Sequence, residues 1–216
     1  MKRRDFSQQL VGAGLGLALV GSARAQAGAP VEGRDYVKLQ TAAPVTLPPG
    51  KKVEVVEFFW YGCPHCFAFE PIVDAWAKRL PADVHFHQLP FAFIGPPEHQ
   101  KLFYALEEIG QREALQRKLF TAIHVDHKRI NTEAEITAFV TANGVDGAKF
   151  ADAWKSFSVN TKLSRGKLLS NAYKIDGVPA IGIHGRYYTS ATLAGTHERA
   201  VQVAETLIQR ARQTPA

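Results

Sequence analysis

Val53-Glu54-Val55-Val56-Glu57-Phe58-Phe59-Trp60 is a near-continuous run of β-prone residues, too apolar for a strand with one wet face. It suits a central strand covered on both sides. Tyr61-Gly62 then breaks the strand, and a helix is expected to begin at Cys63-Pro64. Phe69, Ile72, Val73, Trp76 and Leu80 recur at helical spacing, with Pro81 past the end. Pro71 lies inside that pattern and cannot donate to the carbonyl of Phe67, which predicts a kink. A second strand follows at Val84–Leu89. Strand, helix and strand together form one unit, and the chain reads as containing an α/β domain.

The rest of the chain says how that domain is interrupted. A short edge strand is expected at Tyr36–Leu39, and Pro44, Pro48, Pro49 and Gly50 mark a loop before the central strand. Glu98–Ile109, Glu113–Ile123, Thr132–Asn143 and Ala148–Phe157 all carry helical periodicity, and a longer, weaker helix is expected from Val159 to Tyr173. Lys174–Gly177 is a loop. Val178-Pro179 opens a strand at Ala180–His184, and Gly185 allows a hairpin into Arg186–Thr189. A last amphipathic helix carries Ala200, Val203, Ala204, Leu207, Ile208 and Ala211. This order is most simply a helical insertion, residues 96–164, splitting an α/β domain made of 26–95 and 165–216.

The N-terminus reads as an export signal. Lys2, Arg3 and Arg4 precede a short apolar stretch from Leu10 to Val20, and Ala23-Arg24-Ala25 has the form of a cleavage site before Gln26. The stretch is too short to span a bilayer. Arg3-Arg4-Asp5-Phe6 also fits a twin-arginine signal, and a general secretory route fits equally. Residues 1–25 hold Lys2, Arg3, Arg4 and Arg24 against Asp5, so their removal lowers the formal net charge from +6 to +3. No basic stripe with interleaved aromatics remains, and nucleic acid is not an expected partner.

An exported chain enters an oxidising compartment, yet this one has two cysteines in all, three positions apart. A chain of this length, with 46% hydrophobic residues, can build a core without disulfide staples. Cys63-Pro64-His65-Cys66 therefore reads as chemistry. At a helix N-terminus the free N–H groups and the positive end of the macrodipole favour an anion, so Cys63 is placed to form a thiolate. Pro64 near the first helical position loses no needed hydrogen bond, and His65 adds positive charge or a polar contact. Three readings compete with this one. A structural disulfide would close a tiny loop and stabilise little. A zinc site needs two further ligands, and no second cysteine pair exists. An inert buried pair is the third.

Glu57 alternates with Val53, Val55 and Phe59 and should share their buried face. A buried carboxyl has a raised pKa and could pass a proton to and from Cys66; the other reading is a solvated carboxylate at the strand end. Phe58, Phe59, Trp60, Phe67 and Phe69 are expected mainly in the core. Phe91, Phe93 and Gly95-Pro96-Pro97 form a candidate groove wall. His99, His124, His127, His184 and His197 read as ordinary surface or satisfied residues.

Glu57-Phe58-Phe59-Trp60-Tyr61-Gly62-Cys63-Pro64-His65-Cys66 resembles the active-site strand and helix start of the DsbA family. Val178-Pro179 and the hairpin with Gly185-Arg186-Tyr187 resemble that family's cis-proline loop, and the likeness extends over about residues 34–212. The resemblance implies a thioredoxin-like fold with an inserted helical domain. It implies a protein dithiol:disulfide oxidoreductase of the periplasm, a monomer, with Cys63 as nucleophile and Cys66 as resolving thiol. It implies a cis bond before Pro179 that leaves the backbone of Val178 free for an extended substrate. The redox group is then the Cys63–Cys66 disulfide itself, with no diffusible cofactor and no metal. Clients would be reduced, unfolded exported proteins, and reoxidation would fall to a DsbB-type, quinone-linked membrane partner. In the family an acid at the position of Glu57 often pairs with a lysine on the next strand. Here that strand, Val84-His85-Phe86-His87-Gln88-Leu89-Pro90, has none, and His87 is the expected stand-in. Two alternatives remain: a disulfide reductase or isomerase, and a non-catalytic peptide-binding chaperone or metal-binding module.

Overall fold

A computed structural model describes residues 28–213, so the export signal read at 1–25 lies outside the described residues. Five strands form one sheet: β1 (Val37–Lys38), β2 (Val53–Phe59), β3 (Val84–Pro90), β4 (Ala180–Ile183) and β5 (Tyr187–Ser190), in the order β1-β5-β4-β2-β3. β2 runs parallel to β3 and antiparallel to β4, and every one of its residues is buried. That is why its sequence carries no polar-apolar alternation.

The two faces of β2 meet different partners. Val53 and Val55 pack against Phe69, Val73 and Trp76 of α1 (Pro64–Ala77) and against Val203, Leu207 and Ile208 of α8 (His197–Gln213). Val56 and Phe58 pack on the other side against Leu89, Phe91, Tyr173 and Ile175. α1 continues as one helix through Pro71. The apolar residues expected on the last helix, from Ala200 to Ala211, are all buried.

Between β3 and β4 the chain forms α2 (Pro97–Glu108), α3 (Arg112–His124), α4 (Glu133–Ala142), α5 (Gly147–Lys155) and α6 (Phe157–Tyr173). Their boundaries follow local capping chemistry. Thr132 and Glu135 make a reciprocal capping box at α4, and Asp146 accepts from the N–H groups of Ala148 and Lys149 at α5. Helical periodicity carried the expected fifth segment on to Phe157. Instead, Ser156 takes an extended conformation (φ −63°, ψ 150°), ends α5, and accepts from the N–H of Val159 to start α6. α6 passes unbroken through Ser164 and Arg165. A one-turn helix, α7 (Ala191–Ala194), follows β5 and had no periodic signal of its own.

The hairpin turn needs unusual backbone. His184 and Gly185 have φ of +48° and +63°, and a Cβ on Gly185 would collide with the carbonyl oxygen of Ala43. The helical core, with Leu102, Leu106, Leu119, Phe120 and Phe150, is continuous with Phe59, Tyr61, Cys63 and Cys66. The cysteine pair therefore sits where helices and sheet meet.

Candidate active site

Cys63 is the N-cap of α1, with extended backbone (φ −89°, ψ 118°), and Pro64 occupies the first turn. No side chain caps the helix, so its first N–H groups are available to the Cys63 sulfur. Both cysteines are free thiols. Both are buried, Cys63 7% exposed and Cys66 1%.

Their acidities diverge. The Cys63 thiol is lowered to about 6, first by a hydrogen bond from the Cys66 thiol. Burial opposes this, and the N–H groups of Cys66 and His65 with the charge of His65 add to the lowering. Cys66 is pushed far above an ordinary thiol, by burial first and then by Cys63. Near neutral pH the reduced pair is thus one thiolate and one thiol. The helix terminus, which the sequence reading credited, is a secondary contributor behind Cys66 itself.

The Val178–Pro179 bond is cis. Cys63 Sγ lies 3.5 Å from the carbonyl oxygen of Val178, to which the thiol form donates. His65, Val178, Pro179, Thr192, Thr196 and His197 line a groove of about 460 Å³ beside Cys63.

Glu57 is 2% exposed, which decides for the buried reading over the solvated one. Its carboxyl is raised to about 7, chiefly by burial; a hydrogen bond from Gln88 and the charge of Arg112 pull it down, and Glu70 pushes it up. The expected partner His87 is wrong. Parallel pairing sets Glu57 opposite Gln88 and Val56 opposite His87, so His87 points to the other face of the sheet. There its Nε2 is 3.3 Å from Oε1 of Glu54, a second buried acid. Gln88 Nε2 donates to Glu57 Oε2 at 2.8 Å.

The DSBA-like thioredoxin domain family matches residues 98–201. The thiol:disulfide interchange protein DsbA of Pseudomonas aeruginosa is 39% identical over 199 residues, covering 92% of this chain and 93% of its own. The chain belongs to the DsbA family. DsbA of Azotobacter vinelandii is 42% identical over 181 residues, covering 83% of this chain and 84% of its own. The crystal structure of Pseudomonas aeruginosa DsbA superposes with a TM-score of 0.79 at 41% identity, covering 84% of this chain and 94% of that one. The architecture is accordingly a thioredoxin-like fold with helices inserted between β3 and β4.

The aromatic residues around this DsbA-family centre divide by burial. Phe58, Phe59 and Phe69 are core, whereas Trp60 and Phe67 are half-buried beside the site. Trp60 Nε1 donates to His99 Nδ1 at 2.9 Å, and His99 Nε2 donates to the carbonyl of Ile130 at 2.7 Å. His124 stacks on Phe67 with ring centroids 5.1 Å apart, and its Nε2 lies 2.8 Å from the carbonyl of Tyr61. The sequence reading of both as ordinary surface or satisfied residues holds in that each is hydrogen-bonded, but it gives them no structural task. Each ties the inserted helices to the segment leading into Cys63. The candidate wall at Phe93 and Pro97 lines a different cavity, of about 530 Å³, with Lys101, Trp154 and Leu163. It is not part of the Cys63 groove.

Proposed function

We propose that this DsbA-family oxidoreductase introduces disulfides into exported proteins through Cys63 and Cys66. The observation that carries the direction of electron flow is the unequal acidity of the pair. Favouring the Cys63 thiolate stabilises the dithiol form and so makes the disulfide the stronger oxidant.

A substrate thiolate attacks Cys63 Sγ of the Cys63–Cys66 disulfide. The intramolecular S–S bond breaks, a mixed disulfide forms on Cys63, and Cys66 leaves and takes a proton, with Glu57 as its donor. A second substrate thiolate then attacks the substrate sulfur of the mixed disulfide, and Cys63 leaves as a thiolate. The substrate loses two electrons and the enzyme dithiol holds them. The disulfide is the whole redox group, and the reading calls on no diffusible cofactor or metal. Val178 presents its backbone to an extended client segment in strand-like pairing, with Pro179 and His65 beside it.

Return to the disulfide form requires a membrane oxidase that passes electrons to quinone, a DsbB-type partner. Residues 1–25 are read as a cleaved signal and the mature chain as a periplasmic protein; a monomer is the reading for its assembly. Residues 96–164 are read as the inserted unit and 26–95 with 165–216 as the thioredoxin-like one.

The test is a redox equilibrium against glutathione together with oxidation of a reduced, unfolded substrate. The expected result is a midpoint more oxidising than the glutathione couple and net disulfide formation, both lost in Cys63→Ser. A deeply reducing midpoint would assign the chain to reduction instead.

A further inference from the structure

Arg112, the first residue of α3, donates from Nη1 to Gln88 Oε1 at 2.6 Å, and Nε2 of the same amide donates to Glu57 Oε2 at 2.8 Å. A guanidinium has five N–H donors and no acceptor. Only the amide oxygen of Gln88 can face it, so the NH₂ group must face Glu57. The orientation matters because the two ends of an amide favour different forms of a carboxyl. An N–H donor favours the carboxylate, whereas an amide oxygen repels the carboxylate and accepts from the protonated acid. An amide without an anchor would take either orientation.

We infer that Arg112 is a positioning residue of the redox centre, acting through the amide of Gln88 to keep a hydrogen-bond donor on the carboxyl of Glu57. The consequence falls on the step in which Cys66 gives up its proton, because only the ionised carboxyl can receive it. The groups facing Glu57 are few. α1 brings Cys66 and Glu70, β3 brings Gln88, and α3 brings Arg112, while the β4 residue paired with Glu57 is Ile181. Glu70 is itself paired with Arg117 at 2.8 Å, and Glu113 lies 3.4 Å from Arg112 Nη2. Arg112 is thus the cation that reaches the Gln88 amide. Gln88 and Arg112 also line a surface groove of about 670 Å³ with Glu70 and Arg117, so the hydrogen-bonded line from Glu57 ends at solvent.

The inference deepens the proposed reaction and takes from it the role of Glu57. Its test uses no turnover, so failure would leave the oxidase reading standing. The Glu57 carboxyl of the reduced full-length protein is titrated by ¹³C NMR, its signal assigned by its loss in Glu57→Gln. In Arg112→Met the midpoint should rise by roughly one pH unit, the size expected when a carboxylate loses one hydrogen bond. Arg112→Lys, also a donor without an acceptor, should titrate near the wild type. In a Gln88→Leu background, adding Arg112→Met should shift the midpoint by less than half as much. An unchanged midpoint in Arg112→Met, an Arg112→Lys protein that behaves like Arg112→Met, or an equal shift with and without Gln88 would each overturn the inference.

Discussion

Cys63 Sγ and the carbonyl oxygen of Val178 stand 3.5 Å apart, so the nucleophile touches the backbone that would hold its substrate. The contact depends on protonation. A thiol donates to that carbonyl, and a thiolate has no proton to give. In the disulfide form, which meets the client, Cys63 likewise has no proton, so the Val178 carbonyl is free to accept from the N–H of an incoming strand.

The first prediction concerns that ionisation. Alkylation of Cys63 by iodoacetamide in the reduced protein should follow a single titration with a midpoint near 6, far below a free thiol. Cys66→Ala removes the first contributor and should move the midpoint upward. An unchanged midpoint would transfer the effect to the helix terminus and His65.

Reduction should stabilise the protein. For Cys63 the folded value is lowered from 9.0 to about 6, so its contribution to the reduced form is complete above pH 9 and disappears as pH falls through 6. Urea denaturation of both redox forms should show the reduced protein more resistant at pH 8, with the gap closing by pH 5. Equal gaps at the two pH values would exclude thiolate formation as the source.

Glu57 should cost stability when ionised. Its folded value is raised from 4.5 to about 7, so the protein loses stability as pH climbs across that window and recovers it below 4.5. Glu57→Gln should denature like the wild type at pH 4 and be more stable at pH 8, by roughly 3 kcal/mol. The same variant should turn over more slowly, which separates the role of the acid in proton transfer from its burden on the fold.

His99 is 2% exposed and satisfies Trp60 and Ile130 together. His99→Ala strands the half-buried Trp60 donor and the buried Ile130 carbonyl, and should cost roughly 1–3 kcal/mol in urea denaturation at pH 7.5. Burial lowers the His99 pKa below 6.5, so its contribution is complete above 6.5 and lost as pH falls through the folded value. The difference between variant and wild type should narrow at acid pH.

Local chemistry made much of this fold readable. The β2 run, the Cys63-Pro64 helix start and the α8 stripe each state their burial in their own residues, because a covered strand or an amphipathic helix must carry that pattern wherever it docks. Side-chain partners across elements were not readable. Nothing within Val84–Pro90 distinguishes His87 from Gln88 as the partner of Glu57 until pairing with β2 sets which of them shares its face. Arg112 gave no signal either, since it reaches Gln88 only after α3 has packed over the sheet edge.

Sequence alone determined the βαβ unit, the cysteine pair at a helix start and the run of helices between the strands, because these rest on period, spacing and capping among near neighbours. Tertiary structure alone decided why Cys63 is the acidic thiol, with Cys66 ahead of the helix terminus, and the Arg112–Gln88–Glu57 line. Those properties belong to atoms that meet only after folding, where burial and a few directed hydrogen bonds outweigh anything a residue carries by itself.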